Sequence, residues 1–240
     1  MKTKFIREKH GTKIIAHRGL SGFEKENTMP AFIAAANRTY FGIETDIHKT
    51  ADGKFIIIHD DNTARVALES MIVENTEYET LRALPLTDTD GKTGRIDLRM
   101  PSLSEYIGVC KKYEKIAVLE LKNRMEDEDV YKIAQEIEAL GYLDGVIFIS
   151  FSLDNLISLR KRYPSQLAQY LVSSFTPELI ETLKRHSLDL DINYKALTED
   201  NIKLLHENGI TVNTWTVDSL PDAERLAEWG VDMITTNICE

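Results

Sequence analysis

Short β-branched runs alternate with amphipathic helical patterns along most of this chain, and that alternation restricts its fold more than any other feature. The runs predict strands at Lys13–His17, Gly42–Ile47, Lys54–His59, Ile116–Lys122, Val146–Phe151, Gln166–Val172, Leu188–Ile192, Ile210–Trp215 and Asp232–Thr235. Helices are predicted near Met29–Arg38, Ser102–Tyr113, Asp127–Leu140, Leu153–Arg162, Pro177–His186, Glu199–Asn208 and Pro221–Trp229. Thr28, Thr176 and Thr198 stand where N-caps belong, with Pro30 and Pro177 in first turns, and Gly141 and Gly209 fall where helices should stop. Strand–helix alternation favours a parallel sheet, open or closed. A length of 240 residues, 42% of them hydrophobic, suits one α/β barrel or two small domains.

One connection departs from the pattern. Only Ala51-Asp52-Gly53 separates Thr45–Thr50 from Lys54–His59, too little for a parallel crossover of a dozen or more residues. A tight turn ending on Gly53 predicts an antiparallel hairpin. With the returning strand set aside, eight strands remain, the count of a (β/α)8 barrel. The segment from Asp60 to Met100 has no strong period and holds one short helix near Glu77–Leu84. It reads as an insertion over one mouth of the barrel within a single domain spanning 1–240.

A net charge of −10 argues against a nucleic-acid partner, which calls for a basic surface. Two cysteines, Cys110 and Cys239, are too few for a disulfide framework and read as free thiols. Met1 to His10 is charged throughout, and no stretch approaches the ~20 apolar residues of a membrane span. The expectation is a cytoplasmic protein without a stable membrane anchor, with a homo-oligomer left open.

The chemistry is concentrated between His17 and Asp60. His17-Arg18-Gly19 ends the first strand, Glu26-Asn27-Thr28 opens the first helix, Glu44-x-Asp46 lies on the second strand and His59-Asp60 closes the hairpin. Glu120-x-Lys122 follows on the next strand. Residues two apart share one face of a strand, so Glu44 projects with Asp46 and Glu120 with Lys122. Folding the hairpin about its turn sets His59 roughly opposite Thr45 and Asp46. Two histidines, three carboxylates, an arginine and a lysine thus converge on the rim at the C-terminal ends of the strands, where barrel enzymes do their work. A lone histidine or a lone Glu-x-Asp pair is more often structural; the conjunction is what matters. Three carboxylates make an oxygen-rich site suited to Mg²⁺ or Ca²⁺. Arg18 can grip phosphate oxygens in a fork and Lys122 offers them a point charge. Paired histidines can divide the acid and base roles near neutral pH.

The ordered set of motifs resembles the glycerophosphodiester phosphodiesterase family. Ile14-Ile15-Ala16-His17-Arg18-Gly19, Glu26-Asn27-Thr28-x-x-Ala31-Phe32, Gly42-x-Glu44-x-Asp46, Thr50-x-Asp52-Gly53 and His59-Asp60 carry the resemblance. It continues through Met100-Pro101-Ser102-Leu103-Ser104-Glu105, Leu119-Glu120-Leu121-Lys122, Ser150-Phe151, Trp215-Thr216-Val217 and Ile234-Thr235-Thr236-Asn237. The usual proline after the final Thr-Asn is replaced by Ile238.

The resemblance implies a TIM barrel of the phospholipase-C-like phosphodiesterase type and metal-dependent hydrolysis of a glycerophosphodiester to sn-glycerol 3-phosphate and an alcohol. It implies Glu44, Asp46 and Glu120 as ligands of a divalent cation, and His17 and His59 as the acid–base pair. Arg18 and Lys122 would hold the phosphate, and Trp215 would line the pocket against the glycerol or else serve as a core aromatic. Glu26 and Asn27 would orient Arg18 or His17 from behind. Phe151 is expected in packing, His48 exposed near the hairpin tip, and Asp189 and Asp191 salt-bridged or hydrogen-bonded. A lysophospholipase D on the same frame is the alternative activity. A non-catalytic binding barrel would be expected to have lost a ligand or a histidine, and none is missing.

Overall fold

A computed structural model describes residues 2–240. Among them, eight strands close a parallel barrel: β1 (Lys13–Ala16), β2 (Gly42–Lys49), β4 (Ile116–Leu121), β5 (Val146–Ser150), β6 (Ala168–Val172), β7 (Asp189–Asn193), β8 (Val212–Trp215) and β9 (Met233–Thr236). β3 (Phe55–Ile57) pairs antiparallel with β2, and β1 pairs with both β2 and β9 to shut the ring. The expected hairpin and barrel are therefore both present, with strand ends within about two residues of expectation.

Helices α1 (Met29–Ala36), α3 (Leu103–Lys112), α4 (Asp127–Ala139), α5 (Leu153–Arg162), α6 (Pro177–His186), α7 (Glu199–Glu207) and α8 (Leu220–Glu228) cover the outside. Thr28 and Thr198 accept the cap bonds expected of them; Thr176 holds the N-cap position but its hydroxyl makes no such bond. The layer between helices and strands is the main core, built on residues such as Phe32, Ile43, Phe148 and Leu190. Inside the ring a smaller apolar group, including Ile15, Val118, Ile149 and Leu171, fills the barrel beneath its mouth. Alternation along each strand produces the two layers, because neighbouring side chains point to opposite faces.

Residues 60–100, the segment read in sequence as an insertion, run between β3 and α3 and include helix α2 (Tyr78–Ala83). It carries its own apolar cluster, in which Val66, Val73, Leu81 and Leu98 pack on Ile56 and Ile58 of the hairpin. Cys110 and Cys239 are free and buried. No helix of the described residues is long and apolar enough to cross a membrane.

Candidate active site

Strand register brings the acidic groups together. Asp46 on β2 is paired with Glu120 on β4, and Glu44 lies one inward position earlier. One carboxylate oxygen from each of Glu44, Asp46 and Glu120 falls within 4.8 Å of the others, and all three side chains are buried. The surroundings support Asp46 on one side only. Its Oδ2 accepts from Asn27 Nδ2 at 2.8 Å, while Oδ1 is buried without a hydrogen-bond partner among the described residues. Asn27 is fixed in turn by the Thr45 hydroxyl at 2.8 Å. Lys122 Nζ lies 2.9 Å from Glu120 Oε1 and 3.7 Å from Asp46 Oδ1.

Crowding three carboxylates out of water shifts their protonation. Burial, then the charge of Asp46, pushes Glu44 well above the usual range and Glu120 up to about 8. Burial opposes ionisation of Asp46 as well, but Arg18 and Lys122 outweigh it and hold that carboxyl low. A divalent cation fits this group. The donors are all oxygen, one oxygen lacks a partner, and the ion would relieve the mutual repulsion.

The two histidines approach the acidic group with different partners. His17 continues β1, its N–H donating to Thr236 O at 2.8 Å. Its Nδ1 is 2.8 Å from Asn237 Oδ1, and Asn237 Nδ2 donates to Asp218 Oδ2 at 2.6 Å. With the amide so oriented, Nδ1 carries the proton and Nε2, 3.9 Å from Glu44 Oε2, presents a lone pair to the site. Burial, helped by the Arg18 charge, pushes His17 down to about 4, so the ring is neutral at pH 7.

His59 follows β3; extending the register that pairs Ile57 with Ile47 sets it opposite Thr45, as the hairpin geometry requires. Its Nδ1 lies 2.5 Å from Asp60 Oδ1. Arg65, from the insertion, donates from Nε to Asp60 Oδ2 at 2.7 Å and clamps Glu26 with Nη1 and Nη2. Glu26 then receives Arg18 Nη1 at 2.8 Å. His59, Asp60, Arg65, Glu26 and Arg18 thus form one continuous chain. Arg18 adopts φ 55° and Gly19 φ 78°; a Cβ on Gly19 would meet the Ala31 carbonyl carbon at 2.6 Å, so only glycine fits there.

A cavity of about 100 Å³ opens on these groups, with His17, Arg18, Glu44, His59 and Glu120 on one side and Ile149, Phe151, Leu171 and Trp215 on the other. A larger cavity of about 390 Å³, between Leu68, Leu84 and Arg99 of the insertion, contains none of the ionisable groups of the barrel. Trp215 is half-buried and stands on the pocket wall; Phe151 meets it edge-on at 5.6 Å and is 47% exposed at the mouth, not packed inside.

Two other expectations change. His48 is fully buried, its Nε2 3.2 Å from His59 O beneath the insertion, because residues 60–100 cover that face of the hairpin. Asp189 does accept from Thr211 N at 2.8 Å, but Asp191 is buried in the pocket with Oδ1 unpaired among the described residues. Sequence reasoning also assigned nothing to Arg65, Asp218 or Asn237. No local spacing marks Arg65 or Asp218; Asn237 closes a motif of the resemblance, but its contact with His17 spans the barrel seam and shows only in the fold.

The chain matches the family described as glycerophosphoryl diester phosphodiesterase over residues 17–240. It is 26% identical to a glycerophosphodiester phosphodiesterase of Bacillus subtilis over 93% of this chain and 82% of that protein. It is 28% identical to another of that name from Bacillus altitudinis, over 94% of each chain. A solved glycerophosphodiester phosphodiesterase from Parabacteroides distasonis superposes with a TM-score of 0.78 at 26% identity, over 99% of this chain and 94% of that one. An Oleispira antarctica phosphodiesterase, solved with the product sn-glycerol-3-phosphate, shares the fold with a TM-score of 0.85 at 24% identity, over 94% and 92%. With the match running from His17 to the last residue, the chain belongs to the glycerophosphoryl diester phosphodiesterase family.

Proposed function

We propose that this enzyme cleaves small glycerophosphodiesters to sn-glycerol 3-phosphate and an alcohol, with His17 as general base and His59 as general acid. The observation that carries the assignment is the difference in their partners. His17 is held by a neutral amide that leaves Nε2 unprotonated, whereas His59 rests on the Asp60 carboxylate, which stabilises an imidazolium. Burial, with the charges of Arg18 and Lys122, lowers the basicity of His59, and the charge of Asp46 and the Asp60 hydrogen bond offset only part of that shift. His17 Nε2 takes the proton of the attacking hydroxyl, from water or the substrate's own glycerol. His59 Nε2 gives one to the departing alkoxide, so the proton count balances; where the glycerol hydroxyl attacks, water then opens the cyclic phosphate, His59 taking its proton and His17 returning one to the ring oxygen.

Arg18 and Lys122 place their charges beside the acidic group, where the phosphate would bind; Arg18 Nε, 3.6 Å from Asp46 Oδ2, makes no hydrogen bond among the described residues and is free to donate one to a phosphate oxygen. Glu44, Asp46 and Glu120 would hold Mg²⁺ or Ca²⁺, and the bound ion would neutralise phosphoryl charge and acidify the attacking hydroxyl. Asn27 and Glu26 keep Asp46 and Arg18 in place.

The test is release of glycerol 3-phosphate from glycerophosphocholine, glycerophosphoethanolamine and lysophospholipids, each with Mg²⁺, Ca²⁺ or EDTA. Metal-dependent release from the small diesters is expected. Activity confined to lysolipids would favour the second reading, which the exposed Leu68 and Ile96 of the insertion support. The acid assignment is tested with His59→Ala, which should be rescued selectively by substrates with acidic leaving groups; equal loss on all substrates would overturn it.

A further inference from the structure

Besides Arg18 Nε and Asp46 Oδ1 on its charged side, the catalytic pocket contains two more buried polar atoms without a hydrogen-bond partner among the described residues. Asp191 projects from β7 into the apolar side of the cavity, beside Ile149 and Leu171, and is 2% exposed. Its Oδ1 makes no hydrogen bond among the described residues, and neither does Trp215 Nε1. The β7–β8 register pairs Asp191 with Asn213 and Asn193 with Trp215, so Asp191 and Trp215 occupy successive inward positions on adjacent strands.

The nearby polar side chains are already engaged. Asn213 donates to Gln169 Oε1 at 3.1 Å, and its Oδ1 accepts from Thr214 N at 2.8 Å and Thr235 Oγ1 at 3.2 Å. Asp191 is left alone above that satisfied layer. Burial, with the charge of Glu120, pushes its carboxyl well above the usual range. An unpaired acid in an apolar wall destabilises the fold unless something completes it. No role in the acid–base chemistry or the phosphate grip uses this residue.

We infer that Asp191, with Trp215 at the next inward position on the adjacent strand, is a specificity determinant that binds a hydroxyl of the organic group attached to the substrate phosphate. A hydroxyl both donates and accepts. It can therefore satisfy Asp191 in either protonation state and take the indole N–H as well. An alkyl chain or a quaternary ammonium can do neither, and entering the pocket would leave both buried atoms unpaired. The subsite thus selects a polyol over a plain alkyl phosphate. This rests on the phosphodiesterase reading for the position of the phosphate.

The test compares binding of glycerol 3-phosphate and propyl phosphate, which lacks the hydroxyls, by calorimetry in saturating Mg²⁺. The wild type should prefer glycerol 3-phosphate by on the order of 10- to 100-fold, the range for a buried hydrogen-bonding group left unpaired. Asp191→Leu should bring that ratio close to one while affinity for inorganic phosphate stays within about threefold. Asp191→Asn, nearly isosteric, guards against misfolding and should lower the ratio by a smaller factor, about threefold or more. An unchanged ratio in both variants would overturn the inference. So would equal weakening of both ligands, which would mean that Asp191 acts through Glu120 and the cation site. Turnover reports separately: if the wild type released no glycerol 3-phosphate from any diester, the activity would be wrong while the binding ratio still judged the subsite.

Discussion

Oδ1 of Asp60 lies 2.5 Å from Nδ1 of His59, and the opposite edge of the same carboxylate is gripped by Arg65. The contact leaves His59 Nε2 as the atom that faces the pocket. The Arg65 hydrogen bond also holds the Asp60 carboxyl well below its ordinary range, so the negative charge behind His59 persists across neutral and mildly acidic pH. Asp60 and Arg65, both from residues 60–100, therefore join His59, the proposed acid, at one end to Arg18, the proposed phosphate ligand, at the other.

Asp60→Ala should reduce kcat by about 10- to 100-fold, part of the ~100- to 10,000-fold that a positioned acid supplies, with a smaller effect on KM. The alkaline side of the pH–rate profile should move to lower pH, because an imidazolium without its counter-charge gives up its proton more readily. An unchanged profile with reduced kcat would point to packing instead of charge.

Arg65→Ala separates the same chain from stability. Arg65 is half exposed, and such ion pairs contribute ~0–1 kcal/mol, so Tm should fall by no more than about 3 °C. Catalysis should suffer more, with kcat down about tenfold as Asp60 and Glu26 lose their shared clamp. Steady-state kinetics beside a thermal melt decides it; a lowered Tm with intact kcat would make Arg65 merely structural.

Asn27→Ala removes the single hydrogen bond that orients Asp46 Oδ2. Asn27 also adopts φ 51°, a conformation asparagine tolerates better than alanine. Mg²⁺ affinity should fall about 10- to 100-fold, as for other groups that orient metal ligands. Titration calorimetry measures it directly, and activity should return at high Mg²⁺.

Much of this site was legible in sequence because strand parity does the positioning. Glu44 with Asp46, and Glu120 with Lys122, keep a spacing of two that survives any small error in strand ends. The hairpin was legible because three residues cannot cross over. Arg65, Asp218 and Asn237 were not legible, since their partners lie in other elements and irregular chain carries no period. Asp191 was visible as one of two acids on a strand face but was assigned an ordinary partner; only the closed ring shows that its neighbours are already satisfied. His48 was misplaced because the cover provided by the insertion leaves no periodic signal.

Tyr106→Phe tests the junction of helix and barrel. The buried Tyr106 hydroxyl donates to Ile43 O at 2.8 Å, beneath the strand that carries Glu44. Losing one buried neutral hydrogen bond costs about 1 kcal/mol, or roughly 2–4 °C in Tm for a chain of this size. Activity should stay within about twofold if Glu44 is held by its strand and not by this bond.

The acidic triad also predicts how the metal-free protein responds to pH. Glu44 and Glu120 have folded-state pKa values raised above the unfolded 4.5, Glu120 to about 8, so the folded state binds more protons than the unfolded state between those limits. Stability should fall as pH rises through that window. His17 works in the opposite direction, because its pKa drops to about 4 on folding, but its contribution is complete above pH 6.5. Between pH 6.5 and 8 the raised Asp191 carboxyl acts in the same direction as the triad, and Tm in EDTA should drop by roughly 5 °C. Saturating Mg²⁺ should remove most of the drop, since the cation takes the place of the triad's protons, and its affinity should rise with pH across the same interval. Calorimetry in two buffers of different ionisation enthalpy would count the protons released. A flat Tm in EDTA, or metal binding without proton release, would mean that the three carboxylates are already ionised and balanced by Arg18 and Lys122 alone.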